Sequence, residues 1–433
     1  MLQQDTEKHL HPAPFGPGRL WAYAAGGFAS QFGQTIIAAF FPALLEHHFQ
    51  AGAARIGLTM GIASAASLLA KPAVSIASDH TTSRWGRRLP YIAGATLAVT
   101  FAFGIVAVSH RLLATVIGAV LYAAGSTVFY APYLATLGEV IPPEQRTAAT
   151  SIQTALRGAA LLIACTVAAW LFRVSPGAPF ILAACMYGAC GAMTSLSLRR
   201  GAHTLSASPT GRSSNNRLGT AGRRNSERVG LWPYLRQNLA LRRLLAAHFC
   251  WWSSLQVLFA FVVLFAVHDV LHVERIQGAE GQTAVMKAML LLGIYAATTM
   301  AAALPMNRLA KRYGRRPVLM GGLVILAAGL ASTGFMTRLA QGCITTVLCG
   351  IGYAAIQVIP YTLIVDLRPE GHEGALAALY DALSELPQAI FVPLVGVLIE
   401  ILHSYRVVFA FGVIMLAVAM VLLRAYDMST EAD

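Results

Sequence analysis

Asp79-His80-Thr81-Thr82-Ser83-Arg84-Trp85-Gly86-Arg87-Arg88 lies between two long apolar stretches, and the chain repeats it. In Asn307-Arg308-Leu309-Ala310-Lys311-Arg312-Tyr313-Gly314-Arg315-Arg316, Arg312 falls on Arg84, Tyr313 on Trp85, Gly314 on Gly86 and Arg315-Arg316 on Arg87-Arg88, at an offset of 228 positions (79 to 307). The same offset carries Pro132-Tyr133 onto Pro360-Tyr361. Two landmarks at one offset mark a duplicated chain. The acid Asp79 becomes Asn307 in the second copy.

The stretches around both copies are apolar throughout. Of 433 residues, 56% are hydrophobic and only 12% charged, with a mean hydropathy of +0.60. Soluble domains carry about 25% charged residues. A helix needs roughly 20 apolar residues to cross the hydrocarbon, and twelve such spans are read: 20–45, 56–78, 89–109, 112–138, 148–172, 177–198, 244–268, 284–305, 318–336, 341–366, 374–402 and 406–425. The expectation is an all-α polytopic membrane protein with two six-helix bundles, 20–198 and 244–425. A basic linker (199–243) joins them, and tails (1–19, 426–433) flank them.

The net charge of +13 is a topology signal rather than a nucleic-acid signature. Of 32 Lys and Arg, 23 fall on the side of the termini and six on the other, while Lys71, Arg157 and Lys287 lie inside spans. Positive charge marks the cytoplasmic side, so both termini are expected there, in a plasma (inner) membrane. Residues 1–17 are polar and lack a cleavable signal core. The linker between Ser206 and Ser226 is rich in Ser, Asn, Gly and Arg, a composition that stays mobile; its arginines suit anionic headgroups.

Cys165, Cys185, Cys190, Cys250, Cys343 and Cys349 fall in spans without metal-ligand spacing and read as packing residues. No nucleophile–base pair or phosphate loop is found, so neither an enzyme nor a cofactor or metal site is expected.

Polar residues inside the spans are the candidate site. Gln31 and Gln34 sit among Gly26, Gly27 and Gly33; small residues admit close helix packing, and the amides serve either interhelical bonding or a cavity. A mid-helix lysine costs about 2.5–3.5 kcal/mol, so Lys71 either faces the interior or snorkels to the edge. Tyr122, Ser126 and Tyr130 share one helical face, as do His248, Trp252 and Gln256, and Tyr353, Gln357 and Tyr361. Each stripe reads as packing, as interface anchoring in the case of Trp252, or as the wall of a polar cavity. Arg157 lies about three turns into the fifth helix. Asp381 and Glu385 share a face four residues apart, and two ionised carboxylates there would repel. They need a proton or a cation beside them, and Lys71, Arg157 and Lys287 are the available counter-charges. Around the repeated loop, Asp79, Arg84, Gly86, Arg87, Arg88, Glu139, Arg146, Arg312, Gly314, Arg315 and Arg316 read as gating residues, with Glu139 paired to Arg146 or to the loop arginines.

Two six-helix repeats with this loop at equivalent places resemble the major facilitator superfamily. Lys71-Pro-Ala-Val-Ser-Ile-Ala-Ser-Asp79 through Arg88-Leu-Pro90-Tyr91 is similar to the glycoside-pentoside-hexuronide cation symporters and the related sucrose symporters. Pro132-Tyr-Leu-Ala-Thr-Leu-Gly-Glu139 with Arg146 resembles the segment after their fourth helix. The resemblance implies alternating access around a central site, with a sugar or glycoside carried by a cation gradient. Melibiose-type members place an Asp before the proline where this chain has Lys71, and a lysine repels Na+. H+ coupling through Asp381 or Glu385, or else uncoupled transport, is therefore expected. Some members use a fifth-helix arginine for substrate, to which Arg157 corresponds loosely, about a turn deeper. The expected partners are a small-molecule substrate, H+ and the bilayer, with the protein a monomer and no nucleic acid bound. A carrier of amphipathic lipid or organic anion, or a non-transporting membrane factor, is the alternative.

Overall fold

The computed structural model describes residues 15–81, 83, 85–206, 231–360, 363–364 and 373–424. Twelve helices are long and apolar enough to cross a membrane. They are α1 (Pro17–Phe49), α2 (Ala53–His80), α3 (Leu89–Val108), α4 (Leu112–Glu139), α5 (Pro143–Ile163), α6 (Ala178–Ser206), α7 (Leu239–Phe265), α8 (Gly278–Tyr313), α9 (Arg315–Gly334), α10 (Leu339–Val358), α11 (Glu373–Leu402) and α12 (Val407–Arg424). Among the described residues there is no strand. A π-helical turn (Ala164–Ala168) continues α5 into Ala169–Val174, and another (Ala266–Val270) extends α7. Both were invisible to hydropathy, which counts apolar residues and not hydrogen-bond spacing.

Helices outrun the expected spans at many ends. α1 reaches Phe49 and α8 begins at Gly278. Part of the expected linker is helical: α6 continues to Ser206, and a short helix, Leu231–Gln237, precedes α7. Most of the expected mobile stretch, Arg84, Tyr361 and both chain ends lie outside the described residues, as does the side chain of Asp79.

α1–α6 form one bundle and α7–α12 the other. α1 and α7 are the most enclosed helices, with 67% and 72% of their apolar windows buried against 50% or less elsewhere. That places them at the centre of the molecule. Aromatic packing closes the first bundle: Tyr133 donates to Tyr23 O at 3.1 Å, while Phe103, Phe129 and Tyr187 stack around Tyr122 and Tyr133. Gly26 lies against the Tyr133 ring, and Gly33 against Tyr122 and Tyr187; side chains there would exclude these rings. Leu69, Phe101, Leu113, Phe335 and Ile344 point outward, each at least 66% exposed, as suits a lipid-facing surface.

The two repeated loops turn alike. Gly86 and Gly314 both hold left-handed φ, at 87° and 90°, a region that side chains resist. The most extensive helix packing joins the bundles, between α2 and α11. Gly57 lies against Val392 O and Gly61 against Pro393. α5 meets α8 on the other flank, with Gly158 against Met300 and Gly293 against Cys165.

Candidate functional site

Arg157 is held from two helices. Its Nε and Nη2 donate to Gln31 Oε1 at 3.2 and 3.0 Å, and its Nη1 donates to the Tyr130 hydroxyl at 3.1 Å. Room for it comes from Gly27, which packs against the stems of Gln153 and Arg157. Both acceptors are neutral, and among the described residues Arg157 has no carboxylate partner. In the opposite bundle, Tyr353 of α10 anchors a second polar patch. There Gln357 Nε2 donates to the Tyr353 hydroxyl at 2.6 Å, while Tyr295 stacks on Tyr353 with centroids 5.4 Å apart and Phe259 meets both rings edge-on. Gln34 is exposed and makes no hydrogen bond among the described residues.

Lys71 joins the bundles. Its Nζ lies 2.5 Å from Asp381 Oδ2 and 2.8 Å from Glu385 Oε1. Of the three available counter-charges, the fold selects this one. Ser67 Oγ donates to Glu385 Oε2 at 3.0 Å and also contacts Thr127 Oγ1 at 2.6 Å. The backbone of this α11 segment is gripped as well: Ser64 donates to Glu385 O, Gln256 Nε2 to Ser384 O at 2.9 Å, and His248 Nε2 lies 3.0 Å from Tyr380 O. The His248 ring stacks on Tyr380 at 3.7 Å, with Trp252 6.2 Å from His248. Gln256, read from sequence as a substrate residue, thus commits its amide donor to α11.

The loop residues pair within one bundle. Arg87 and Arg88 reach Glu139 at 2.8 and 3.0 Å, and Arg88 also donates to Ser78. Arg146 instead holds the carbonyls of Gly138 and Ile141. In the second bundle Arg316 donates to Arg424 O, and the Arg312 guanidinium lies over Tyr313.

Sequence reasoning missed the contacts at the face opposite the termini. Glu46 Oε2 meets His268 Nε2 at 2.9 Å, Glu400 Oε1 accepts from Ala54 N at 3.0 Å, and Gln277 Nε2 donates to His47 O at 3.1 Å. All three cross between bundles. Gly52 leaves space for the Glu400 carboxylate, which sits at the start of α2, where helix amides favour negative charge. A pocket of about 310 Å³ opens there, lined by both bundles. Tyr405 stacks on His268, and burial, aided by nearby Glu46, Asp269 and Glu400, pushes its phenol well above the usual value. The available signal was charge near span ends, which reads equally well as an anchor.

Among the described residues no three His, Cys, Asp or Glu gather as a metal site. Chemically, the centre offers a guanidinium beside amides and aromatic faces, together with a lysine shared by two carboxylates.

The family model of the Major Facilitator Superfamily matches residues 23–286 and 278–432. Multidrug resistance protein 3 of Bacillus subtilis (strain 168) is 29% identical over 126 residues, 29% of this chain and 24% of that protein. The chain therefore spans about a quarter of that relative's length. Among solved structures, the nucleoside transporter NupG superposes with a TM-score of 0.69 at 12% identity, over 96% of this chain and 100% of that one. The peptide transporter POT in complex with sulfate does so at 0.70 and 12%, over 98% and 97%. At such identities the likeness is one of fold.

Proposed function

Because the chain belongs to the Major Facilitator Superfamily, and so is a multi-pass secondary transporter, we propose that it moves a small polar solute of the sugar or glycoside class together with a proton. The observation that carries this reading is the Lys71–Asp381–Glu385 cluster, which ties α2 to α11 across the two bundles. One ammonium shared by two carboxylates leaves one negative charge in excess. A proton on Glu385 removes that excess and weakens the tie, so protonation and rocking of the bundles act on the same bonds. For the solute, Trp252 and Tyr353 supply ring faces to the apolar side of a sugar, while Gln31, Gln34, Gln357, Tyr130 and Arg157 supply hydrogen bonds. The residues around Gly86 and Gly314 form the hinged loops that reorganise when the bundles move, with both termini cytoplasmic.

The test is uptake by the purified protein in liposomes under an inward proton gradient. Glu385→Gln is expected to abolish gradient-driven accumulation while sparing counterflow, and unchanged accumulation would remove Glu385 from the coupling role. A second reading, a carrier of amphipathic compounds, is favoured by the short match to the multidrug resistance protein. Stabilisation of the protein by lysolipids alone, lost in Lys71→Ala, would select it.

A further inference from the structure

Among the described residues, the deep charges of the two bundles form a closed inventory. Lys71, Asp381 and Glu385 share one cluster, and Arg157 stands apart on neutral acceptors. The remaining deep charge, Lys287, is exposed nine residues into α8. Helical side chains tilt toward the N-terminus, so its stem carries the ammonium back toward the nearby face. The four central charges sum to zero. Four further carboxylates are engaged near the faces: Glu46 with His268, Glu139 with Arg87 and Arg88, Asp269 with Arg406 and Ser404, and Glu400 with Ala54 N.

From this balance we infer that the solute is a monoanion, its carboxylate bound by Arg157, and that it crosses with one proton in an electroneutral step. The inference rests on the proton-coupled reading above and names the charge class of its solute. A proton entering the Lys71 cluster leaves the centre at +1. Once the bundles close over the site and water leaves it, a neutral solute would leave that charge uncompensated, and an unpaired charge away from water is costly; a monoanion at Arg157 restores zero. The proton passes from water to a carboxylate oxygen of Glu385 or Asp381 and leaves by the reverse transfer, with no bond made in the solute. The titratable and charged groups facing this pair are Lys71 from α2, Tyr122 from α4, His248 from α7 and Tyr380 from α11 itself. Arg157 suits the partner role because its fork meets a carboxylate in two parallel bonds. Gln31 and Tyr130 fix the guanidinium while leaving donors unused.

The experiment uses the purified full chain with lactate, gluconate and galacturonate, each beside its methyl ester, read by thermal stabilisation and then by uptake into liposomes. At least one acid is expected to raise the melting temperature where its ester does not. Arg157→Gln removes the shift, and Arg157→Lys keeps a reduced one. Gln31→Glu supplies Arg157 with an internal carboxylate, so it is expected to fold at least as stably as the parent and to bind the acid at least tenfold more weakly. Uptake of that acid at a fixed pH gradient should not respond to a membrane potential imposed with potassium and valinomycin. Equal stabilisation by acid and ester, no stabilisation by any acid, undiminished binding in Gln31→Glu, or a severalfold response to potential each overturns the monoanion assignment. A neutral glycoside that accumulates under the gradient and loses accumulation in Glu385→Gln would overturn this inference while keeping the proton-coupled reading. Acid uptake indifferent to the pH gradient would overturn both.

Discussion

Lys71 shows what a single residue discloses in sequence and what it withholds. Its cost inside a span marks it as functional or paired, since a lysine in hydrocarbon needs a reason. Its partners lie 310 and 314 positions away (71 to 381 and 385), and only the packing of α2 on α11 selects Lys71 over Arg157 or Lys287 as their counter-charge. Lys71→Ala leaves Asp381 and Glu385 facing each other without the ammonium. Breaking a buried pair costs about 3–5 kcal/mol; here the Asp381 side chain is 61% exposed, so the loss should fall below that range. A drop in melting temperature is expected, partly restored in Lys71→Ala/Asp381→Asn, where the repulsion is gone. A double variant no more stable than the single one would mean that Asp381 and Glu385 do not repel each other once Lys71 is gone. Gln256 illustrates the opposite limit. Its place on a polar stripe was legible, but its acceptor is a backbone carbonyl, and a sequence does not record which carbonyl a neighbouring helix presents.

At the scale of helices, hydropathy located the spans because lipid-facing and buried positions are both apolar in such a fold. It could not locate the contact that matters most, because beyond the Lys71 cluster α2 and α11 meet through Gly57 and Gly61 against Val392 and Pro393, with no recognisable side-chain motif. A Cβ on Gly57 would meet Val392 O at 2.6 Å and Pro393 Cα at 3.0 Å, and backbone cannot move aside as a side chain can. Gly57→Val should therefore cost about 1–3 kcal/mol through overpacking and separate the two helices near the face opposite the termini. Gly104→Ala is the contrasting case. Gly104 lies inside α3 with nothing within 4 Å of the added Cβ, so the substitution should stabilise by up to about 1 kcal/mol through helix propensity. Melting curves of the two variants check both signs. Destabilisation by Gly104→Ala comparable to that of Gly57→Val would show that bilayer packing, not the interface, governs these glycines.

Across the whole molecule the ties between bundles are unevenly placed. Glu46–His268, Glu400 with Ala54 and Gln277 with His47 lie at the face opposite the termini, and the Lys71 cluster lies deeper. At the terminal face, the ion pairs among the described residues, Arg87 and Arg88 with Glu139, stay inside one bundle. This is the pattern of a transporter closed on one side, and alternating access requires these crossing bonds to break while others form. Their energies set how far the equilibrium leans. A hydrogen bond to a charged group contributes about 1.5–3 kcal/mol, and 1.4 kcal/mol is a tenfold change in population. Glu46→Ala with Glu400→Ala removes two such bonds without touching Arg157 or the Lys71 cluster, so the form open at that face should gain at least tenfold in population. Spin labels at positions 50 and 274, both exposed and on opposite bundles, should then show a longer distance growing at the expense of the shorter one. Ligand-induced stabilisation should survive, because the central groups are intact. An unchanged distance distribution would mean that these contacts decorate the closed face, and that the α2–α11 packing alone holds it shut.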